Sequence, residues 1–98
     1  MTHPIDWAPV TADHVVTALG EYDALGADGF FAEHGFAPTL TYDLIWNGRA
    51  YPPKAILGRA YEIATGTRLQ PDEFEGGKSG AAKILPRLGF DVQPKAAR

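Results

Sequence analysis

The dipeptide Asn47-Gly48 places the tightest constraint on how this chain can fold. A two-residue type I′ hairpin turn needs positive φ at both positions, and Asn-Gly supplies this most readily. Alternating larger apolar residues lead into the turn: Leu40, Tyr42, Leu44 and Trp46. The pattern predicts an antiparallel hairpin in which Trp46 faces Arg49. In the same register Leu44 faces Tyr51, and Pro52 ends the second strand because it cannot donate a ladder hydrogen bond.

Helical patterns lie on both sides of this hairpin. Apolar residues recur at helical spacing after Thr11, a good N-cap, and a first helix is predicted to end at Gly26. Asp28 is predicted to cap a short second helix that Gly35 ends. After the hairpin, Pro53 suits the first turn of a third helix, and Gly66 ends it. A fourth helix is predicted to start near Lys78 or Ser79, where Pro86 should kink or shorten it.

The predicted fold class is α+β, with the element order α-α-β-β-α-α-β. A lone hairpin is marginal in water. We therefore expect residues 90–92 to add a third antiparallel strand, with the helices covering one face of the sheet. The chain divides into an arm at 1–10, one folded domain at 11–92 and a frayed tail at 93–98.

Composition indicates a folded protein of one domain. The 98 residues are 45% hydrophobic and 21% charged, which suits one globular core and argues against disorder. None of the uncharged stretches approaches the ~20 apolar residues that span a bilayer, so no membrane contact is expected. There is no cysteine, and the first ten residues lack the features of a signal peptide. The expected location is the cytoplasm.

Charge is divided unequally along the chain. Residues 1–48 hold seven acids and no Lys or Arg, whereas residues 49–98 hold all nine Lys and Arg and five acids. The halves therefore carry −7 and +4, which together give the net −3 of the chain. Two interpretations remain open. The second half can form a basic face on an acidic protein, or the two halves can attract each other within one fold.

The sequence offers no set of catalytic residues. Gly76-Gly77-Lys78-Ser79 resembles part of a phosphate-binding P-loop, but Asp72 stands where that motif needs glycine, and no buried strand precedes it. Backbone N–H groups at the two glycines, with Lys78 and Ser79, can still form an anion site, or the glycines can simply make a tight turn. The three histidines lack metal-ligand spacing and are expected on the surface or at caps. We expect no enzyme activity, metal or cofactor.

Basic and aromatic residues suggest contact with DNA. The candidates for binding phosphate are Arg49, Lys54, Arg59, Gly76, Gly77, Lys78, Ser79, Lys83 and Arg87. Lys83 and Arg87 lie one helical turn apart and can contact phosphate together. The alternative is that they form a solvated helix face that binds no ligand. Trp46 and Tyr51 flank the hairpin and can stack on a base, or they can belong to the core. Arg49 beside Trp46 is the pair of greatest interest.

Several motifs in a fixed order resemble a known family. They are Tyr51-x-x-Lys54-Ala55, Phe74-x-Gly76-Gly77 and Leu88-Gly89-Phe90, within matching segments that run from about residue 11 to residue 92. The chain resembles the N-terminal head domain of streptomycete McrA-type restriction proteins. In those proteins the head precedes modules that read modified DNA and a C-terminal HNH nuclease.

The resemblance implies an accessory role in defence against foreign or modified DNA, without catalysis by this domain. It carries over no catalytic residue. Two hypotheses follow. The domain binds the DNA backbone through the basic candidates, or it docks a separate nuclease, a DNA-reading protein or a second copy of itself through its acidic half.

Overall fold

The computed structural model describes residues 5–36, 42–70 and 80–94. In these ranges there are three helices and one sheet. The helices are α1 (Ala12–His34), α2 (Pro53–Thr65) and α3 (Ala81–Arg87), and the strands are β1 (Tyr42–Trp46), β2 (Arg49–Tyr51) and β3 (Asp91–Pro94). The sheet is antiparallel in the order β2-β1-β3. The predicted α+β class and three-stranded antiparallel sheet are confirmed.

The predicted hairpin register is also confirmed. Trp46 pairs with Arg49 and Leu44 pairs with Tyr51. Asn47 has φ 51° and Gly48 has φ 76°, as a turn with two positive-φ residues requires. Leu44 and Tyr51 are buried and face the helices, whereas Ala50, Asp91 and Gln93 on the opposite sheet face are exposed.

The first two predicted helices are two arms of the single element α1. Gly26 alone has non-helical angles (φ 77°, ψ 167°), a conformation confined essentially to glycine. Because one residue makes the bend, no loop separates the arms. The prediction that Asp28 caps a second helix is wrong, since Asp28 lies within the second arm. The bend directs the second arm so that Phe30 is fully buried in the core.

The ends of α1 and α2 follow the sequence signals. The Thr11 N–H donates to His14 Nδ1 at 2.9 Å at the start of α1. Gly35 and Gly66 end the two helices in left-handed conformations. Phe36 is buried in the core, and its ring lies over Gly58 of α2. Pro53 occupies the first turn of α2.

Two predicted boundaries at the C-terminal end differ from the structure. The helix expected near Lys78 or Ser79 begins, within the described residues, at Ala81; Lys78 and Ser79 lie outside those residues. The third strand runs from Asp91 to Pro94 rather than over 90–92, so the tail does not begin at 93. Gln93 and Pro94 pair with Asp43 and Tyr42, because β1 extends far enough to receive them.

The core lies between the helices and one face of the sheet. α1 packs along α2, and α3 contacts both α2 and β3. The N-terminal arm joins this packing where it is described. Trp7 makes an edge-to-face contact with Tyr61 of α2 at 5.5 Å between ring centroids, and Val10 is buried.

Candidate functional site

Arg59 of α2 lies in an ion-pair cluster with two carboxylates. Its Nε and Nη2 donate to the two oxygens of Glu21 at 2.6 and 2.9 Å, and its Nη1 donates to Glu62 Oε1 at 3.0 Å. The hydrogen bonds to Glu21 raise the pKa of Arg59, and the same bonds lower the pKa of the Glu21 carboxyl. Such bidentate geometry is the strong form of a charge-assisted hydrogen bond. Arg59, a candidate for binding phosphate, therefore fastens α2 to α1.

His34 completes this cluster, which we call the α1–α2 clamp (Glu21, His34, Arg59 and Glu62). Its ring nitrogens lie 3.9 Å from oxygens of Glu21 and Glu62, and Phe30 packs on the ring at 4.6 Å between centroids. The prediction that His34 is a surface or cap residue is wrong, because the side chain is buried. Burial, and then the charge of Arg59, lower the pKa of His34 below its ordinary value of 6.5.

The clamp makes stability depend on pH. The fold favours neutral His34, so protonation in the unfolded chain should reduce stability as the pH falls below 6.5. The fold also favours ionised Glu21, so a second loss should follow below 4.5. We expect His34→Gln to remove the loss in the upper window and to leave the lower one. Urea unfolding over a pH series measures both losses.

His14 supplies the matched control for this experiment. It lies at the N-terminus of α1, at the edge of the domain rather than in the clamp. His14→Gln should leave the slope of stability against pH near 6.5 in place. An unchanged slope in His34→Gln would contradict the assignment to His34.

A second ion pair joins α1 to the hairpin. Arg49 Nη1 donates to Asp23 Oδ1 at 3.2 Å, and the Tyr51 hydroxyl donates to the two oxygens of Asp23 at 2.9 and 3.1 Å. The Arg49 and Asp23 side chains are 69% and 42% exposed, so water surrounds most of this pair. Burial and the bond to Asp23 raise the pKa of Tyr51. Asp23 was not among the predicted site residues, because in the sequence it is one of seven acids in residues 1–48 and no motif distinguishes it from the others.

The two candidate stacking residues differ in accessibility. Tyr51 is 2% exposed and its ring contacts Tyr22 at 5.3 Å between centroids, so it is a core residue and its ring is not open to a base. Trp46 is half-buried, and its indole packs against Phe90 at 5.3 Å. Trp46 therefore retains part of its surface at the edge of the core.

The remaining basic candidates occupy different positions. Lys83 and Arg87 are exposed on α3, one turn apart. Lys54 is half-buried in the first turn of α2. Gly76, Gly77, Lys78 and Ser79 lie outside the described residues.

The topology gathers part of this set at one end of the sheet. β3 enters the sheet with Asp91 beside Ile45, next to the Asn-Gly turn. Phe90, the residue before Asp91, contacts Trp46, and Trp46 pairs with Arg49. Arg87, the last residue of α3, precedes Phe90 by three residues in the chain. We call these residues the hairpin end: Trp46, Arg49, Arg87 and Phe90.

The hairpin end includes two exposed cations, Arg49 and Arg87, and a partly exposed indole, with Arg49 paired to Trp46 across the hairpin. Guanidinium groups bind phosphate, and an aromatic ring can stack on a base. In the ranges that the structure describes, no group of three or more His, Asp or Glu side chains is arranged to hold a metal ion. The chemistry that these side chains offer is binding of an anion.

A family model for the ScoMcrA-like N-terminal head domain matches residues 8–94. The chain belongs to this family. The head-domain match begins three residues before the predicted domain start and ends two residues after its predicted end, so it takes in Val10 and the whole of β3. No curated protein and no solved structure matched this chain. None of its helices, over the described residues, has the length and apolar character to cross a membrane.

Proposed function

We propose that this head domain is a non-catalytic accessory module of a McrA-like restriction protein and that it binds the DNA backbone through the hairpin end and α3. Its family consists of N-terminal head domains of such proteins. The observation that supports the proposal is that exposed Arg49 pairs with Trp46 at the hairpin, while exposed Arg87 precedes Phe90, which packs against Trp46, by three residues.

The structure narrows the set of residues on which the proposal depends. Arg59 is left out because Glu21 and Glu62 already satisfy its guanidinium. Tyr51 is left out because its ring is buried. Arg49, Lys83 and Arg87 carry the proposal; Lys54, Gly76, Gly77, Lys78 and Ser79 remain candidates.

Binding should show the salt dependence of phosphate contacts. Each phosphate that a Lys or Arg neutralises releases counterions, so affinity falls steeply with rising salt. Fluorescence anisotropy on plain and modified duplexes, titrated at several salt concentrations, measures this slope. Absence of salt-sensitive binding at micromolar protein would exclude the proposal.

Variants of α3 test the contact surface. Lys83→Ala/Arg87→Ala should weaken binding to all duplexes and reduce the salt slope by about 2, since each lost contact removes about 1. Arg68→Ala is the control, because Arg68 is an exposed cation whose hydrogen bond goes to the Glu33 carbonyl of α1. The double variant removes two charges and the control removes one, so a loss in Arg68→Ala of half or more of that in the double variant would indicate a general charge effect and contradict a contact surface on α3.

Protein docking is the second candidate function. α1 contains five acids and no Lys or Arg, and Asp13, Asp28 and Glu33 are exposed on it. This surface favours a basic partner, such as a nuclease or a DNA-reading protein of the same system. Light scattering after size-exclusion chromatography, and pull-down with such proteins, test it. A strict monomer that captures neither protein would count against docking.

A further inference from the structure

The Asp23 carboxylate has a second partner besides Arg49, the Tyr51 hydroxyl. The hydroxyl of Tyr51, a residue that is only 2% exposed, donates to this carboxylate in a bifurcated hydrogen bond, with distances of 2.9 and 3.1 Å to its two oxygens. A buried, hydrogen-bonded tyrosine of β2 is a rigid support, because core side chains occupy fixed rotamers. The carboxylate is therefore a fixed negative charge at the hairpin end.

Arg49 is held much more weakly. Its guanidinium donates a hydrogen bond of 3.2 Å to Asp23 and also interacts with the Tyr51 hydroxyl, and 69% of the side chain is exposed. Exposed ion pairs of this kind contribute little to stability because water screens them. Arg59, by contrast, donates three hydrogen bonds from a largely buried position. Of these two arginines, Arg49 is the one that can exchange its carboxylate partner at small cost.

We infer that Asp23 is an internal competitor for phosphate at Arg49. In the free domain the Asp23 carboxylate occupies the guanidinium, and a phosphate of the nucleic acid backbone displaces it while Asp23 stays bound to Tyr51. Guanidinium binds carboxylate and phosphate in the same geometry, so the exchange replaces one oxygen acceptor by another. The inference rests on the proposed function and adds an autoinhibitory contact to it.

Asp23→Asn tests the inference without removing the support. The asparagine keeps a carbonyl oxygen that accepts from Tyr51 and loses the charge that holds Arg49. With a short fluorescein-labelled duplex at low salt, Asp23→Asn should bind about two- to fivefold more tightly than the wild type, the factor that corresponds to an exposed ion pair. Thermal unfolding of the variant checks that the fold is retained.

Two further variants separate this effect from general electrostatics. Asp28→Asn makes the same change of charge on α1, beyond the Gly26 break, and should increase affinity less. The double variant Asp23→Asn/Arg49→Met should bind DNA no more tightly than Arg49→Met alone, because the gain in affinity from Asp23→Asn requires Arg49. A gain equal to that of Asp28→Asn, or one that persists in the double variant, would overturn the inference.

Different binding results would rule out the competitor role of Asp23 and the proposed binding of DNA. If the wild type binds through Lys83 and Arg87 but Asp23→Asn adds nothing beyond Asp28→Asn, only the competitor role of Asp23 is lost. If neither the wild type nor Asp23→Asn binds the duplex with salt sensitivity, both proposals are lost. If the wild type does not bind the duplex, Asp23→Asn does bind it, and Asp23→Asn/Arg49→Met again does not, the competitor role of Asp23 is supported directly.

Discussion

Gly58→Ala should lower the free energy of unfolding by about 1–3 kcal/mol, although alanine is the better helix former by about 1 kcal/mol. A Cβ atom at residue 58 would lie 2.4 Å from Phe36 Cζ and within 3.2 Å of two further ring atoms. The Phe36 ring is buried, so it must move against a packed core to accept the methyl group. Urea unfolding measured by circular dichroism gives the change.

Gly20→Ala is the matched control for this prediction. Gly20 lies within the first arm of α1, has helical angles, and has no atom within 4 Å of an added Cβ. Its substitution should stabilise the domain by up to about 1 kcal/mol, the helix-propensity difference alone. If Gly58→Ala were as stable as Gly20→Ala, the close approach of Phe36 would not constrain residue 58.

Arg59→Met should destabilise the domain by about 1–3 kcal/mol. Losing one partner of a buried ion pair costs about 3–5 kcal/mol, and water around the clamp reduces that cost because its charged side chains are about a quarter exposed. Methionine keeps most of the aliphatic stem, so the change reports on the guanidinium. Without the guanidinium, the carboxylates of Glu21 and Glu62 face each other across the clamp with no arginine between them. Each kcal/mol should lower the melting temperature by about 4–8 °C.

Arg49→Met gives the opposite pattern and serves as the comparison. Its ion pair is exposed, so the loss of stability should stay below about 1 kcal/mol, whereas binding to DNA should weaken. Arg59→Met, measured where it is folded, should bind DNA as the wild type does. Weakened binding in folded Arg59→Met, with unchanged stability, would return Arg59 to the group of phosphate contacts.

The parts of the fold set by local chemistry could be predicted from the sequence. The Asn-Gly turn fixed the register of the hairpin, and Pro53 and Gly66 fixed the ends of α2, because each of these residues restricts its own backbone. The extent of β3 could not be predicted from its own residues. It depends on where β1 begins, and Pro94 gives no local sign of pairing with Tyr42.

The candidate site was less predictable because its contacts join distant segments. Arg49 and Arg59 lie 26 and 38 residues from the acids that bind them, Asp23 and Glu21. The charge division of the chain suggested that opposite halves could attract each other, but it could not say which arginines would be used. His34 lies in the second arm of α1, and the bend at Gly26 sets the direction of that arm. The spacing of apolar residues along the sequence does not reveal the direction of the bend.

Glu21 and Asp23 stand two residues apart on α1, about 200° apart around the helix axis. Glu21 binds α2 and Asp23 binds β2, so one stretch of α1 is tied to both of its neighbours. The stretch therefore helps to fix the position of α2 relative to β2. An inserted residue between the two acids would turn one of them away from its partner by about 100°. The spacing of these two acids, rather than the length of the helix around them, therefore sets how the hairpin and the helical layer are aligned.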